Sequence, residues 1–385
     1  RRLPGGPWGR GAPAVAPAPV PGRAPGSADP PSRCPRAMGP STLGGMSEEN
    51  GYERVAVLGT GAWGTTFARV VAHAGAAGVT VWGRNAAVVE FINDGENPAY
   101  LPGIELPGSV RATTDLRGAV SGADLVVVAV PVKAVRSTME AAACAIDPGA
   151  GVLSLAKGIE LSSFKRVDEI IAHSAGVDED RIAVLSGPNL SREIAEENPT
   201  ATVIASENLE LAKRVASTCH TPYFRPYVST DVIGTEIAGA TKNVIAVAIG
   251  AAQGMGLGIN TRSTLQTRGL AEMTRLGADP ATFAGLAGIG DLIATCSSRL
   301  SRNFSLGHRM GEGMGLEEAL ERSPGVVEGV ASARPILQLA RGAGVDMPIT
   351  EAVVRVVEGD ATIEDMGHML LSRPRKMDGW KITLV

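Results

Sequence analysis

The sequence has few aromatic residues, few cysteines and little net charge, and each shortage argues against a class of function. Aromatic side chains make up 4% of the 385 residues, which disfavours a surface that stacks nucleic-acid bases. The net charge of −4 likewise gives no reason to expect nucleic acid as a partner. The four cysteines are far apart and form no C-x-x-C pair. We therefore expect neither a metal site nor a disulfide framework, and a reducing, cytoplasmic location.

Long apolar runs are also missing. The longest run, residues 244–252, is too short to span a bilayer and is followed by Gln253, so we expect no membrane span. The remaining composition, 44% hydrophobic and 20% charged, is ordinary for a globular protein, and the length is sufficient for two domains.

Residues 1–46 differ from the rest of the chain. They hold 11 of the 25 prolines, six arginines and a single acid, and no apolar stretch of the length a signal peptide needs. We interpret them as a disordered Pro/Arg-rich extension. One hypothesis is that the native chain starts at Met46 and that residues 1–45 are not translated; the alternative is a genuine flexible basic arm.

A glycine-rich motif organises the chain. Residues 55–58 predict a buried parallel strand, the next six residues fit G-x-G-x-x-G, and residues 65–76 predict a helix. Gly59 suits the tight turn, Gly61 a close approach to a pyrophosphate, and Gly64 the packing of helix on strand. The motif predicts a dinucleotide site at the start of a helix; the alternative is a glycine-rich turn without a ligand.

Further apolar segments alternate with helical ones and predict a doubly wound parallel sheet. The predicted strands are residues 79–82, 124–130, 152–155, 182–185, 200–205 and 223–228. The second of the sheet's strands, 79–82, ends in Gly83-Arg84-Asn85 without the acid that selects NAD. Since an arginine there accommodates the 2′-phosphate of NADP, NADPH is favoured and NAD stays open. A solvated surface arginine is the alternative for Arg84.

The β pattern fades after residue 231, and helices follow. Residues 232–253 predict one long helix that is apolar on nearly all sides, with Lys242 in its middle. A lysine in such surroundings is rarely buried without a partner or a function, and it is suited to proton transfer; a snorkelling structural lysine is the alternative. Other helices are predicted at residues 262–277, 316–322, 331–343, 349–358 and 362–371.

Three further features are candidates for a site. Lys157 follows strand 152–155 at the edge where open α/β sheets bind ligands, although a surface lysine is the ordinary interpretation. Asp291 lies in an apolar segment, 288–295, which we interpret as a loop and where the acid needs a cationic partner. A second loop, 298–303, combines hydroxyls, two guanidinium groups and an amide, which suits a phosphate or carboxylate; a charged loop surface is the alternative.

Residues 54–372 resemble bacterial NAD(P)-dependent glycerol-3-phosphate dehydrogenases. The matching segments occur in the family's order: GTGAWGTTFA, NPAYLPGIELP, LAKGIE, LSGPN, EIAGATKNVIAVAIG, TRGLAEM, GLAGIGDLIATC, SRNFSLG and VVEGV. The resemblance implies a Rossmann-type α/β domain over residues 47–230, an all-α domain over residues 231–385, and a cleft between them. It also implies reduction of dihydroxyacetone phosphate to sn-glycerol 3-phosphate with NADPH or NADH, for phospholipid synthesis. Whether the protein forms a homodimer stays open.

The resemblance also implies site residues. Lys242 would donate the proton. The substrate would contact Lys157, Gly187, Lys242, Asp291, Thr295, Ser301, Arg302 and Asn303. The cofactor would contact Gly59, Gly61, Ala62, Trp63, Gly64, Arg84, Lys157, Ser191, Arg302, Val326 and Glu328.

The sequence departs from the family at a few positions. Ala62 replaces a common Ser or Thr, and Ile259 and Gln266 interrupt the usual pattern after the long helix. The stretch 377–380 matches nothing in the family. Two rival functions stay open: a related reductase of a β-hydroxy acid or ketopantoate, and a non-catalytic NADP-binding sensor.

Overall fold

In the computed structural model, residues 51–277 and 279–371 are described, and a mixed β-sheet precedes a group of packed helices. The predicted extension 1–46, its start at Met46 and the stretch 377–380 lie outside the described residues. The strands are β1 Arg54–Leu58, β2 Gly78–Trp82, β3 Glu96–Asn97, β4 Leu101–Glu105, β5 Val110–Thr113, β6 Leu125–Val128, β7 Gly151–Ser154, β8 Ile182–Ser186, β9 Thr200–Ala205 and β10 Phe224–Ser229.

The helices follow the same order along the chain. They are α1 Ala62–His73, α2 Ala86–Asn93, α3 Leu116–Val120, α4 Val132–Ala142, α5 Val167–Ala175, α6 Ser191–Ala195, α7 Leu209–Cys219, α8 Val232–Gly254, α9 Ile259–Leu276, α10 Pro280–Ala284, α11 Asp291–Ser297, α12 Arg302–Gly311, α13 Leu316–Glu321, α14 Glu328–Gly342, α15 Pro348–Val357 and α16 Ile363–Leu371.

Eight strands form one sheet in the order β10-β9-β8-β7-β6-β1-β2-β5. After β1 the chain builds outward through β2 and β5, and it then returns to place β6 on the other side of β1. This reversal makes the carboxyl ends of β1 and β6 the expected binding edge of the sheet. The predicted Rossmann-type fold with a following helical region is confirmed.

The last two strands run against the others, because β9 pairs with β8 in the antiparallel sense and β10 pairs parallel to β9. The connection explains this direction. Between β8 and β9 the chain forms only the five-residue helix α6, which is too short a crossover for a parallel neighbour.

The central strands β1, β6, β7 and β8 are buried on both faces, with alternate residues facing opposite sides. On β1, Val55 and Val57 belong to the core cluster shared with α1 and α7, whereas Ala56 and Leu58 belong to the cluster shared with α4 and α5. Helices therefore cover both faces of the sheet, as a parallel sheet requires.

The sheet region differs from the prediction at one helix boundary and at three short strands. Helix α1 begins at Ala62 rather than at residue 65, so the helix starts inside the glycine motif. The antiparallel hairpin of β3 and β4 and the short strand β5 were not predicted. Strand β4 contains glycine and proline and is largely exposed, and β5 has only four residues, so the alternation that marks a half-buried strand is weak in both.

Helix α8 is the centre of the helical region. Of the described helices it alone is long and apolar enough to cross a membrane by length and composition, and 94% of its apolar window is buried inside the protein. It contacts α12 closely at four glycines. A Cβ added to Gly250, Gly254, Gly307 or Gly311 would overlap backbone atoms of the facing helix, so the two helices pack backbone to backbone.

Candidate functional site

One carboxylate joins the sheet to the helical region. Asp291 begins α11 and is 1% exposed. Its Oδ1 accepts a hydrogen bond from Lys242 Nζ at 2.8 Å, and its Oδ2 accepts one from Lys157 Nζ at 2.8 Å. The acid therefore has the cationic partners that a buried carboxylate requires.

Lys242 lies in the buried middle of α8 and is 7% exposed. Besides its bond to Asp291, its Nζ donates to Thr295 Oγ1 at 2.7 Å, and that hydroxyl donates to Asp291 Oδ1 at 3.2 Å. Asp291 and Thr295 are four residues apart and so lie on one face of α11. Since an ammonium group has three N–H donors, one remains for a further acceptor.

Lys157 lies just beyond the end of β7, as predicted. Its Nζ also donates to the carbonyl oxygen of Gly187 at 3.0 Å, and its side chain is 14% exposed. Burial lowers the pKa of Lys157 to about 8, against the opposing effect of the Asp291 charge. Burial alone would raise the pKa of Asp291, but the two neighbouring ammonium groups hold this pKa below its usual value.

Gly187 follows β8 and has a φ of +144°, a conformation that favours glycine. A Cβ there would lie 3.1 Å from Thr202. The glycine thus allows the turn that aims its carbonyl at Lys157, and it brings a backbone group into the lysine–aspartate cluster.

A chain of side-chain amides connects this cluster to α12 and α14. Asn243 Nδ2 is 3.4 Å from the carbonyl oxygen of Lys157, and Asn243 Oδ1 accepts from Asn303 Nδ2 at 2.8 Å. Asn303 Oδ1 in turn accepts from the Gly329 N–H at 2.8 Å. No role is predicted for Asn243 from the sequence, although an amide within an apolar helix is a signal of a buried polar contact.

The predicted phosphate-binding residues lie at the start of α12. Ser301 Oγ accepts from the Phe304 N–H at 3.3 Å and caps the helix, and Arg302 and Asn303 form its first turn. The amide groups of a first helical turn have no acceptor within the helix and attract anions. The Asn303 carboxamide uses its Oδ1 and one N–H of Nδ2, so its second amide N–H and its backbone N–H are the donors that it can offer to a ligand.

Of the two segments interpreted as loops, 288–295 is helical, whereas residues 298–301 form a loop that ends where α12 begins. A π-helical turn, Leu286–Gly290, leads into α11, and α12 includes the last two residues of the segment 298–303. Gly288 and Gly290 weakened the helical pattern of the first segment, and Gly288 packs against the backbone of Phe283 where a side chain would not fit.

The glycine-rich loop has the shape that a dinucleotide needs. Gly59 has a φ of +135°, and a Cβ there would lie 2.7 Å from the carbonyl oxygen of Ala129. Gly64 packs against the Gly59 carbonyl oxygen, where a Cβ would overlap it. Gly61 precedes α1, and no described atom lies within 4 Å of the position of its Cβ. The loop therefore leaves space at an uncapped helix start, which fits a pyrophosphate.

Two residues in the first turn of α1, Ala62 and Trp63, lie beside this space. The Trp63 ring packs near Phe67, with centroids 5.9 Å apart, and its buried Nε1 has no hydrogen-bond partner among the described residues. Ser191, at the start of α6, accepts from Thr66 Oγ1 through its carbonyl oxygen at 3.3 Å. The predicted cofactor residues of α1 and α6 are therefore neighbours.

Arg84 follows β2 and is exposed. The preceding Gly83 packs against the side chain of Thr60 so closely that a Cβ at Gly83 would overlap it. The glycine-rich loop and Arg84 thus lie at the same edge of the sheet, where an arginine can reach a ligand on that loop.

The last predicted cofactor residues lie near α4. Glu328, the first residue of α14, accepts from the Val132 N–H at 3.3 Å, and burial raises the pKa of this carboxyl. Val326 is half-buried in the preceding loop. Arg302 also approaches this loop, since its Nη1 lies 3.0 Å from the Cβ position of Gly325.

The departures at Ile259 and Gln266 lie on α9. Ile259 begins the helix and is 64% exposed. Gln266 lies near the thiol of Cys296, and burial raises the pKa of this thiol to about 12. Within residues 51–277 and 279–371, no group of three His, Cys, Asp or Glu side chains is arranged to bind a metal.

Comparison with known proteins gives a consistent assignment. Residues 54–212 match the family model of the NAD-dependent glycerol-3-phosphate dehydrogenase N-terminus, and residues 231–368 match that of its C-terminus. The glycerol-3-phosphate dehydrogenase (NAD(P)+) of Streptomyces griseus is 52% identical over 329 residues, which is 84% of this chain and 97% of the relative. That of Thermobifida fusca is 53% identical over 309 residues, 79% of this chain and 92% of the relative.

Comparison with solved structures gives the same family. The glycerol-3-phosphate dehydrogenase of Coxiella burnetii superposes with a TM-score of 0.79 at 34% identity, covering 83% of this chain and 98% of that one. A ketopantoate reductase from Ralstonia eutropha, with a TM-score of 0.50 at 19% identity, shares the fold alone. The lysine–aspartate cluster, the glycine-rich loop and these matches together place the chain in the NAD-dependent glycerol-3-phosphate dehydrogenase family.

Proposed function

We propose that this chain is an NAD(P)-dependent glycerol-3-phosphate dehydrogenase that reduces dihydroxyacetone phosphate to sn-glycerol 3-phosphate. One observation carries the proposal: the buried Lys242 shares Asp291 with Lys157 beside the carboxyl edge of the sheet. A cofactor-binding sensor has no need for this arrangement, whereas a carbonyl reductase needs a positioned proton donor. The names of the relatives give glycerol 3-phosphate as one reactant, and removal of a hydride and a proton at its C2 alcohol gives dihydroxyacetone phosphate as the other.

The cofactor would lie along the carboxyl ends of β1, β2 and β6. When bound, its reduced nicotinamide supplies the hydride that adds to C2 of the ketone. The residues proposed to hold it are Gly59, Gly61, Ala62, Trp63, Gly64, Arg84, Lys157, Ser191, Arg302, Val326 and Glu328.

Lys242 is the proposed acid. As C2 gains a hydride, negative charge develops on the carbonyl oxygen, and a positioned ammonium group stabilises that charge and donates the proton. The bonds to Asp291 and Thr295 fix the direction of the remaining N–H of Lys242. Proton transfer to the oxygen completes the alcohol, and Lys242 must regain a proton before the next turnover.

The phosphate end of the substrate is proposed to bind at the first turn of α12, through Ser301, Arg302 and Asn303. Lys157, Gly187, Asp291 and Thr295 would surround the ketone end. Binding energy gained at the phosphate orients the distant carbonyl, so it is converted into rate.

We also propose that residues 47–230 and 231–385 form the two functional domains, that the enzyme is cytoplasmic, and that its product enters phospholipid synthesis. A homodimer is the proposed assembly. Size-exclusion chromatography with light scattering tests the assembly, and a monomer at micromolar concentration would contradict it.

The activity is tested by following oxidation of NADPH and of NADH with dihydroxyacetone phosphate, and with ketopantoate as a control substrate. We expect turnover with dihydroxyacetone phosphate and none with ketopantoate. Dinucleotide binding without turnover of either ketone would favour a sensor, and turnover of ketopantoate alone would favour the rival reductase.

A further inference from the structure

We propose that Asn97 is a positioning residue that orients the glycine-rich loop for the pyrophosphate of the dinucleotide. The inference rests on the proposed function. Asn97 ends β3 in the hairpin that precedes β5, and it is completely buried although most of the hairpin is exposed. Its Nδ2 donates to the carbonyl oxygen of Thr60 at 2.9 Å and to Thr65 Oγ1 at 2.8 Å.

The orientation of the carboxamide follows from its partners. A carbonyl oxygen only accepts, so the amide nitrogen of Asn97 must face Thr60. Thr65 Oγ1 uses its proton on the same carbonyl oxygen, at 3.3 Å, and can therefore accept from Asn97. The three groups form a closed set around the carbonyl between the first two glycines of the motif.

Asn97 Oδ1, by contrast, is buried without a hydrogen-bond partner among the described residues. An unpaired buried oxygen is unfavourable, and an apolar side chain at this position would avoid that cost. The bonds made by Nδ2 thus have a role beyond filling the space beneath the loop.

That role follows from the geometry of the peptide unit. A trans peptide is planar, and its C=O and N–H point in opposite directions. By holding the Thr60 carbonyl, Asn97 and Thr65 also fix the direction of the Gly61 N–H, away from the hairpin. Around the Gly61 Cβ position no described atom lies within 4 Å, so this side of the loop has room for a ligand.

The hairpin is itself anchored to the helices that border the loop. Arg69 of α1 donates from Nε to the carbonyl oxygen of Glu105 at 3.1 Å, and Arg192 of α6 donates from Nη1 to that of Pro102. Asn97 therefore holds the glycine-rich loop in a fixed position relative to the hairpin. Because every dinucleotide would bind to this loop, Asn97 should affect the affinity for NADPH and for NADH alike.

The test uses Asn97→Asp, which keeps the shape but places a carboxylate oxygen against the Thr60 carbonyl. Dissociation constants of NADPH, NADH and ADP-ribose are measured by titration calorimetry on the full chain. We expect all three to rise by a similar factor of roughly 5–30, the value of one to two hydrogen bonds. The kcat at saturating cofactor and the KM for dihydroxyacetone phosphate should stay unchanged.

Asn93→Asp is the matched control. Asn93 Nδ2 donates to the carbonyl oxygen of Ala112 at 3.1 Å, the same kind of bond, at the end of α2 and away from the loop. Its substitution should leave all three dissociation constants unchanged.

A second variant covers the case in which Asn97→Asp does not fold. Thr65→Val removes the hydroxyl that bonds the Thr60 carbonyl but keeps the volume, and a smaller rise in the same constants is expected, whereas Thr65→Ser should restore binding. Unchanged dinucleotide affinity in folded Asn97→Asp or Thr65→Val, with only a lower Tm, would make Asn97 structural and overturn the inference. Failure of wild-type protein to bind any dinucleotide would instead contradict the proposed function.

Discussion

Lys157 and Lys242 bond to the two oxygens of one carboxylate, each at 2.8 Å. One lysine follows a strand of the sheet and the other lies in the core helix α8. Two ammonium groups with a single carboxylate leave the cluster with a net positive charge while both lysines are protonated. This charge attracts an anionic substrate and stabilises negative charge that develops on a carbonyl oxygen.

Lys242→Met tests the proton donor. The change keeps much of the apolar length and removes a buried charge, so the fold and cofactor binding should survive. The hydride step should slow by roughly 10²–10⁴, the usual contribution of a positioned general acid. Single-turnover oxidation of NADPH with saturating dihydroxyacetone phosphate measures this step. Lys213→Met, at an exposed lysine of α7, is the control. A rate near that of the wild type would show that Lys242 has a structural role, and Lys157 would then be the better candidate for the proton donor.

The depressed pKa of Lys157 predicts a pH dependence of catalysis. Above pH 8 this lysine loses its proton, since burial lowers its pKa to about 8. The site then loses positive charge, so kcat/KM for dihydroxyacetone phosphate should fall by up to about tenfold per pH unit. In Lys157→Arg, whose guanidinium stays protonated, the falling limb should be absent. A limb that remains at the same pH in this variant would assign it to another group.

The lowered pKa of Lys157 also makes the free energy of unfolding depend on pH, but this free energy rises with pH whereas kcat/KM falls. In the unfolded chain a lysine holds its proton up to about pH 10.4. Between about pH 8 and pH 10.4 the unfolded state therefore binds more protons at Lys157, and this group's contribution to stability rises with pH. Free energies of unfolding from urea titrations of wild type and Lys157→Met should show the wild type gaining relative to the variant across this range. A constant difference would contradict the assigned pKa.

Arg84→Ala tests the cofactor preference. If Arg84 binds the 2′-phosphate, NADPH affinity should weaken by about 1.5–3 kcal/mol, the value of a hydrogen bond to a charged group, while NADH affinity barely changes. Titration calorimetry with both dinucleotides measures the difference, with Arg111→Ala on the neighbouring strand β5 as the control. Equal losses for the two dinucleotides would show that Arg84 does not select between them.

Two glycines of the motif should respond differently to alanine. At Gly59 the φ of +135° and the nearby Ala129 carbonyl leave no place for a Cβ, so Gly59→Ala should destabilise the fold by more than about 1 kcal/mol. At Gly61 the φ of −68° suits alanine and the space is open, so stability should change by less than about 1 kcal/mol.

The methyl group of Gly61→Ala would enter the ligand space, so the dissociation constants of both dinucleotides should rise at least about tenfold. Thermal unfolding measures the effect of each alanine on stability, and calorimetric titration measures its effect on dinucleotide affinity. Unchanged dinucleotide affinity in Gly61→Ala would remove the loop from the cofactor site.

The sequence predicts the elements that bury continuous apolar runs. Strands β6 to β8 and helix α8 could be predicted because every residue of the strands and nearly every residue of the helix is buried. Lys157, Lys242 and Asp291 could be selected because a charge in apolar surroundings needs a partner, and the structure brings these three together.

Apolar runs and charges in apolar surroundings predict neither helix α12 nor the role of Asn97. Helix α12 turns glycines toward α8, and a glycine contact carries no hydrophobic pattern. Asn97 lies in a short hairpin where asparagine is typical of turns, so nothing local distinguishes a buried amide from a solvated one. Its contact with Thr60 joins segments that are distant in sequence.

The glycine contact between α8 and α12 also limits how the family can diverge. Lys242 belongs to one of these helices and the anion-binding turn begins the other, so main-chain atoms, which all sequences share, set the spacing between them. Substitutions of core side chains elsewhere leave this spacing between α8 and α12 unchanged, and with it the length of substrate that fits. A single methyl group at Gly307 would overlap the carbonyl oxygen of Val247 and push α12 away, so the spacing between Lys242 and the anion-binding turn depends on the absence of a side chain at this position.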